Sequence, residues 1–226
     1  MRILLLAYLF GHNNANSSRY QSFVSALVEK GFIVDIVGNK KLSKELSGKI
    51  LNDKCRYYSI YDVIKLKHLP RLFYYTTVEF IKVIFNFRGY IRIRSGLFNG
   101  AIKVLCRDLL KENEYKCVVV GVVPWTLYEL VPFLKYKSPI ILDVSDPLYN
   151  NAAYKRSLKG LEASKKIERK AFNMVDKVVV MSEPMLKLYE KFGLSASKYV
   201  FIPSSTVSVD GPIIIDYNYD RDHLFK

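Results

Sequence analysis

Cysteine is rare in this chain: Cys55, Cys106 and Cys117 are the only three, widely separated and odd in number. That pattern excludes a disulfide scaffold and offers no zinc or thiol-redox spacing, so a reducing, cytoplasmic setting is expected. Histidine is equally scarce, with three in the chain, which leaves few imidazoles for metal binding or acid–base work. No stretch reaches the roughly 18 uncharged apolar residues that a membrane-spanning helix requires. Met1-Arg2 ahead of an apolar run imitates a secretory leader, but Gly11-His12-Asn13-Asn14 follows where small cleavage-site residues belong. Residues 3–9 are therefore expected to form a first buried strand. Gly-x-Gly-x-x-Gly is missing after that run, which argues against a dinucleotide-binding oxidoreductase. There is no internal repeat and no low-complexity segment.

Acidic residues are outnumbered. Thirty-five Lys and Arg face 21 Asp and Glu, a formal charge of +14, which favours anionic partners: nucleic acid, phospholipid head groups or phosphorylated substrates. Zinc spacing, an RNA-recognition motif and a dense basic run are all lacking, so nucleic acid is not expected among the partners.

What is abundant is apolar residues, 50% of 226, enough to bury a sizeable core. Strand-like runs fall at 3–9, 32–37, 116–121, 139–143, 177–181 and 198–202, with a weaker one at 55–60. Their near-continuous Val, Ile and Leu content is how strands buried on both faces read, and helical segments lie between them. The expected fold is α/β, a doubly wound, mostly parallel, Rossmann-like sheet. The first helix is expected to start at Ser17 or Ser18 as N-cap, to turn Tyr20, Phe23, Val24, Leu27 and Val28 inward, and to close at Gly31.

Open α/β sheets bind ligands beyond the carboxyl ends of their strands. This directs attention to the loops at 10–18, 121–126 and 143–155 and to the turn at Ser182. In the first loop, Gly11, His12, Asn13 and Asn14, with Arg19 one turn into the helix, supply amides and side chains able to hold a phosphate or sugar hydroxyls; a solvated, well-capped loop is the alternative. Asp143 and Asp146 stand at the end of the fifth run, before Pro147. A carboxylate there can accept a hydrogen bond from an attacking hydroxyl or steady an acceptor sugar; otherwise it caps the loop or pairs with an Arg. Trp125, the single tryptophan, can stack on a sugar or an isoprenoid, or serve as a core residue at a helix start. Residues 65–116 carry two long helical patterns rich in aromatics and cations, which suit either a core helix with solvated Lys and Arg or contact with an anionic membrane.

Ile167-Glu168-Arg169-Lys170-Ala171-Phe172-Asn173-Met174-Val175-Asp176, then Lys177-Val178-Val179-Val180-Met181-Ser182-Glu183, then Tyr199-Val200-Phe201-Ile202-Pro203, read as helix, strand, Ser-Glu helix start, helix and strand. In order and spacing this resembles the end of the N-terminal domain of GT-B glycosyltransferases, in particular the large retaining group called family four. That group's consensus runs Glu-Arg, small residues, Ala-Asp, apolar residues, Ser-Glu, a helix and Ile-Pro-Asn-Gly. Here Ser204-Ser205 replace Asn-Gly, Ser145 stands where many relatives carry Arg, and Gly11 is the single glycine in a loop that is usually glycine-rich.

The resemblance implies that residues 1–203 are an acceptor-binding domain and that 204–226 are a hinge leading towards a donor-binding domain or a separate subunit. The activity it implies is transfer of a sugar from a nucleotide-sugar donor to a glycan or lipid-linked acceptor, with anomeric retention, no metal cofactor, and no turnover by this chain alone. Asp146 is the implied catalytic residue; Gly11, His12, Asn13, Asn14, Arg19, Trp125 and Asp143 are the implied substrate contacts. The implied location is cytoplasmic, peripheral at the inner face of an anionic membrane. The other reading is a non-catalytic, membrane-associated partner subunit of a split glycosyltransferase.

Overall fold

The computed structural model describes residues 1–12, 14–61, 68–84, 93–135, 137–149, 158–191, 193 and 195–202. Asn13, the 204–226 segment and the aromatic stretch at 85–92 lie outside the described residues.

Seven strands form one parallel sheet in the order β3-β2-β1-β4-β5-β6-β7. They are β1 (Arg2–Leu6), β2 (Ile33–Gly38), β3 (Cys55–Ser59), β4 (Cys117–Gly121), β5 (Ile140–Val144), β6 (Lys177–Val180) and β7 (Tyr199–Phe201). Each lies inside or beside an apolar run of the sequence, including the weak third one. In β1, β2 and β4 every residue after the first is buried, whereas the edge strands β3 and β7 are partly open. Centrally placed strands covered on both faces lose the alternation of apolar and polar residues, which is why they read as continuous apolar runs.

The helices are α1 (Ala15–Glu29), α2 (Lys44–Ile50), α3 (Leu69–Ile84), α4 (Ile93–Glu112), α5 (Val131–Leu134), α6 (Leu158–Met174) and α7 (Glu183–Glu190), with a 3-10 turn at Trp125–Leu130 and another at Ala196–Lys198. From β1 the chain first walks outward to β3, then crosses back and walks the other way from β4 to β7. Right-handed crossovers place the helices of those two walks on opposite faces. Accordingly Ile3 and Leu5 pack with Tyr20 and Val24 of α1, while Leu4 and Leu6 pack with Ile102, Leu105 and Leu109 of α4, Phe172 of α6 and Tyr189 of α7. The reversal falls between β1 and β4, the place where such sheets open a crevice at their carboxyl ends.

Four local expectations change. β1 ends at Leu6 rather than Leu9, because the chain turns there and buries Phe10 against the α1 face. The N-cap of α1 is Asn14, whose side chain accepts the Ser17 amide, rather than Ser17 or Ser18. Phe23 is 37% exposed instead of inward, while Tyr20 and Val24 are buried as expected. α6 ends at Met174, and Asp176 lies beyond it with its carboxylate accepting the Ile140 amide at 2.8 Å, which ties the start of β5 to the start of β6. Gly31 does close α1, with φ at +84°, a conformation glycine adopts at little cost. Ser182 caps α7 through the Met185 amide, as the Ser-Glu pair predicted.

Candidate functional site

The loops after β1, β2, β4 and β5 are joined by side-chain contacts beyond the carboxyl ends of the strands. After β1, Gly11 adopts φ +78°; a side chain there would also meet Leu42, since a Cβ would come within 2.6 Å of its Cδ2. The Gly11 amide donates to Ser17 Oγ at 2.9 Å, and Gln21 Nε2 donates to the same oxygen at 3.0 Å. His12 Nε2 donates to Asn39 Oδ1 at 2.7 Å, which ties the loop after β1 to the loop after β2. Asn14 is committed to its capping bond. In this structure, then, Gly11, His12 and Asn14 hold the loop to its surroundings.

Arg19 leaves the first turns of α1 and meets Asp143 at the end of β5, Nη1 to Oδ2 at 2.5 Å. Two sequence-predicted site residues that are 124 positions apart are thereby joined. The Asp143 side chain is 7% exposed and that of Arg19 24%, so the pair is mostly buried at the carboxyl edge of the sheet and leaves part of the guanidinium open. Tyr20, the next residue of α1, places its hydroxyl beside Asp143 and Ser145, and burial, reinforced by the Asp143 charge, pushes that phenol well above its ordinary range. The same hydroxyl lies over Gly121 at the end of β4, where a Cβ would be 2.0 Å from it. Gly121 is what lets α1 sit this close to the sheet.

Trp125 opens the 3-10 turn after β4, half-buried, and its Nε1 donates to the Asp146 carbonyl at 3.2 Å. It therefore stands where the sequence placed it, at a helix start, and it also fastens the loop after β4 to the loop after β5. Asp146 is exposed, whereas Asp143 and Ser145 just before it are buried. The carboxylate of Asp146 is thus free to face solvent and a ligand, on a backbone that is itself held.

Sequence reasoning missed Glu168 as more than a motif letter. It is fully buried on α6, and its carboxylate accepts four hydrogen bonds: from the Leu148 amide at 2.6 Å, the Tyr149 amide at 2.8 Å, Tyr128 Oη at 3.0 Å and Tyr189 Oη at 3.3 Å. Desolvation outweighs those bonds and pushes the carboxyl up to about 7. A signal was available: Ser164, Glu168 and Ala171 repeat at helical spacing on the buried side of α6, and a carboxylate in such a stripe requires donors. Among the described residues no group of three His, Cys, Asp or Glu side chains is placed to hold a metal.

No family model matches the chain, and no curated relative matches it. Solved structures do. A sucrose-phosphate synthase from Thermosynechococcus elongatus is similar with a TM-score of 0.57 at 12% identity, over 90% of this chain and 48% of that one. Phytolacca americana UGT2, in its complex with UDP-2-fluoro-glucose and pterostilbene, is similar with a TM-score of 0.50 at 10% identity, over 95% of this chain and 53% of that one. Both are GT-B glycosyltransferases, and at these identities the likeness is one of fold. The chain spans about half the length of these two structures.

Proposed function

We propose that this chain is the acceptor-binding half of a retaining glycosyltransferase of the family-four type, which moves a sugar from a nucleotide-sugar donor to a glycan or lipid-linked acceptor in making a surface polysaccharide or glycolipid. The observation that carries the reading is the exposed Asp146 at the carboxyl edge of a half-GT-B sheet, its backbone tied on one side by the Trp125 indole donating to its carbonyl and on the other by the buried bond from the Leu148 amide to Glu168. An acceptor hydroxyl that donates to this carboxylate gains electron density on its oxygen, and a positioned carboxylate of this kind contributes about 100-fold or more to rate. Departure of the donor diphosphate needs positive charge or amide donors on the opposite side of the cleft. That task belongs to a second, donor-binding domain or subunit; the nucleotide sugar is a substrate, and no metal is invoked.

In the complete enzyme, with this chain joined to its donor-binding half, Asp146→Ala lowers turnover while leaving the melting temperature unchanged. Unaltered turnover removes Asp146 from the site. The chain by itself releases no nucleotide diphosphate from UDP-glucose, UDP-N-acetylglucosamine or GDP-mannose, and appreciable release by the purified chain overturns the half-enzyme reading.

A second reading draws on α3, where Leu69, Phe73, Tyr74 and Ile81 are 44%, 74%, 63% and 48% exposed. Leu69, Phe73 and Ile81 fall on one helical stripe, and the chain is strongly basic. An outward apolar stripe on a basic protein suits a peripheral, membrane-associated partner subunit, although no helix among the described residues is long and apolar enough to cross a membrane. Co-sedimentation with phosphatidylglycerol vesicles and not with phosphatidylcholine vesicles is expected; failure to bind either sinks this reading.

A further inference from the structure

Glu168 is fully buried, and the described residues packed around its carboxylate come from four parts of the chain. Tyr128 and Tyr189 donate to Oε1, and their rings pack edge-on against Phe172 at centroid distances of 5.9 and 4.8 Å. Both phenols are pushed well above their ordinary range, burial first and the Glu168 charge second, so they stay neutral donors. Tyr199 stacks behind Tyr189 at 6.3 Å, and burial raises its phenol too. The fourth wall is the loop after β5: Leu148 is fully buried above the carboxylate, and Tyr149 is held from outside by Lys165 Nζ, 5.6 Å from its ring centroid. The two amides of this loop are the only backbone donors to the carboxylate in the described structure. Two residues upstream of Leu148 stands Asp146.

We propose that Glu168 is the positioning residue of the loop after β5, and that its carboxyl group couples closure of the Leu148–Tyr149 backbone over the site, and with it the placement of Asp146, to the uptake of one proton. Among the described residues the donors to Glu168 are all neutral, so none of them balances its charge once water is excluded. Lifting the loop readmits water to the carboxyl. The closed loop therefore favours the protonated acid, whose hydroxyl can donate to a tyrosine oxygen, and the lifted loop favours the carboxylate. Raised pH releases the loop; lowered pH closes it. The consequence for catalysis rests on the acceptor-site reading above, but the linkage between proton and loop does not.

The test is amide hydrogen exchange at Leu148 and Tyr149 in the whole chain, corrected for intrinsic exchange, between about pH 5 and about pH 8. Protection should fall by about tenfold or more as pH rises across this window. In E168Q the same amides should show no such slope. Tyr128→Phe keeps the carboxylate and removes one of its donors, so it should move the window to higher pH; a merely structural tyrosine would loosen the loop equally at all pH values. Flat protection in the unsubstituted chain, an equal slope in E168Q, or an unmoved window in Tyr128→Phe each overturns the proposal. None of these readings requires sugar transfer, so an enzyme of another class would leave them intact.

Discussion

Arg19 of α1 and Asp143 of β5 form an ion pair across the carboxyl edge of the sheet, on the side of the reversal where β4 follows β1. Together with Tyr20 against Gly121, it ties the first helix to the second half of the sheet. A mostly buried pair of this kind is sensitive to the loss of either partner, because the survivor is left as an uncompensated charge.

Arg19→Ala is expected to lower stability by about 3 kcal/mol, read from a urea midpoint at constant slope. Removing both charges in Arg19→Met/Asp143→Leu should recover much of that loss. A double variant no more stable than Arg19→Ala would mean that the pair does not carry the interaction.

Gly121→Ala should cost about 1–3 kcal/mol by forcing Tyr20 and α1 away from the sheet. The hydroxyl is not the whole obstacle, since the ring Cζ would also lie 2.6 Å from the new Cβ. Tyr20→Phe should therefore fail to rescue the variant in a thermal melt, whereas Tyr20→Leu should recover part of the loss. Wild-type stability in Gly121→Ala would contradict the close approach.

Asn14→Ala should cost about 1 kcal/mol by leaving the Ser17 amide without its cap, while Asn14→Ser should be nearly neutral because serine fills the same role. Equal losses in the two variants would assign Asn14 to something other than capping.

Glu168 gives the global stability a definite pH dependence. Its folded-state value of about 7 lies above the ordinary 4.5, so the folded chain holds this proton more tightly than the unfolded chain does. The resulting stabilisation is complete below about pH 4.5 and is lost as pH rises through about 7, a change on the order of 3 kcal/mol for this group. Subtracting the urea stability of E168Q from that of the unsubstituted chain at each pH isolates it. A difference that grows with pH instead would reverse the assignment.

The seven strands and their parallel, doubly wound arrangement were legible in the sequence alone, because strands such as Val118–Val120 and Leu4–Leu6 are buried on both faces and every residue must be apolar. The Ser182 helix start and the Gly31 helix end were equally legible, since capping and positive φ are local matters. The start of α1 was not: Asn14, Ser17 and Ser18 are all competent caps, and the choice fell to the chain's path out of β1, set by buried Phe10 and the turn at Gly11. Phe23 was placed inward on periodicity, but the buried stripe of α1 is narrower than its apolar content. The positions of Asp143, Asp146 and Trp125 at strand ends followed from the sequence, while their partners did not. Pairing Arg19 with Asp143, Trp125 with the Asp146 carbonyl, and Glu168 with the loop it holds depends on which strands become neighbours after the chain reverses direction. Local propensity determines the elements; long-range geometry alone decides which side chains meet, because those contacts have no expression in the residues adjacent in sequence.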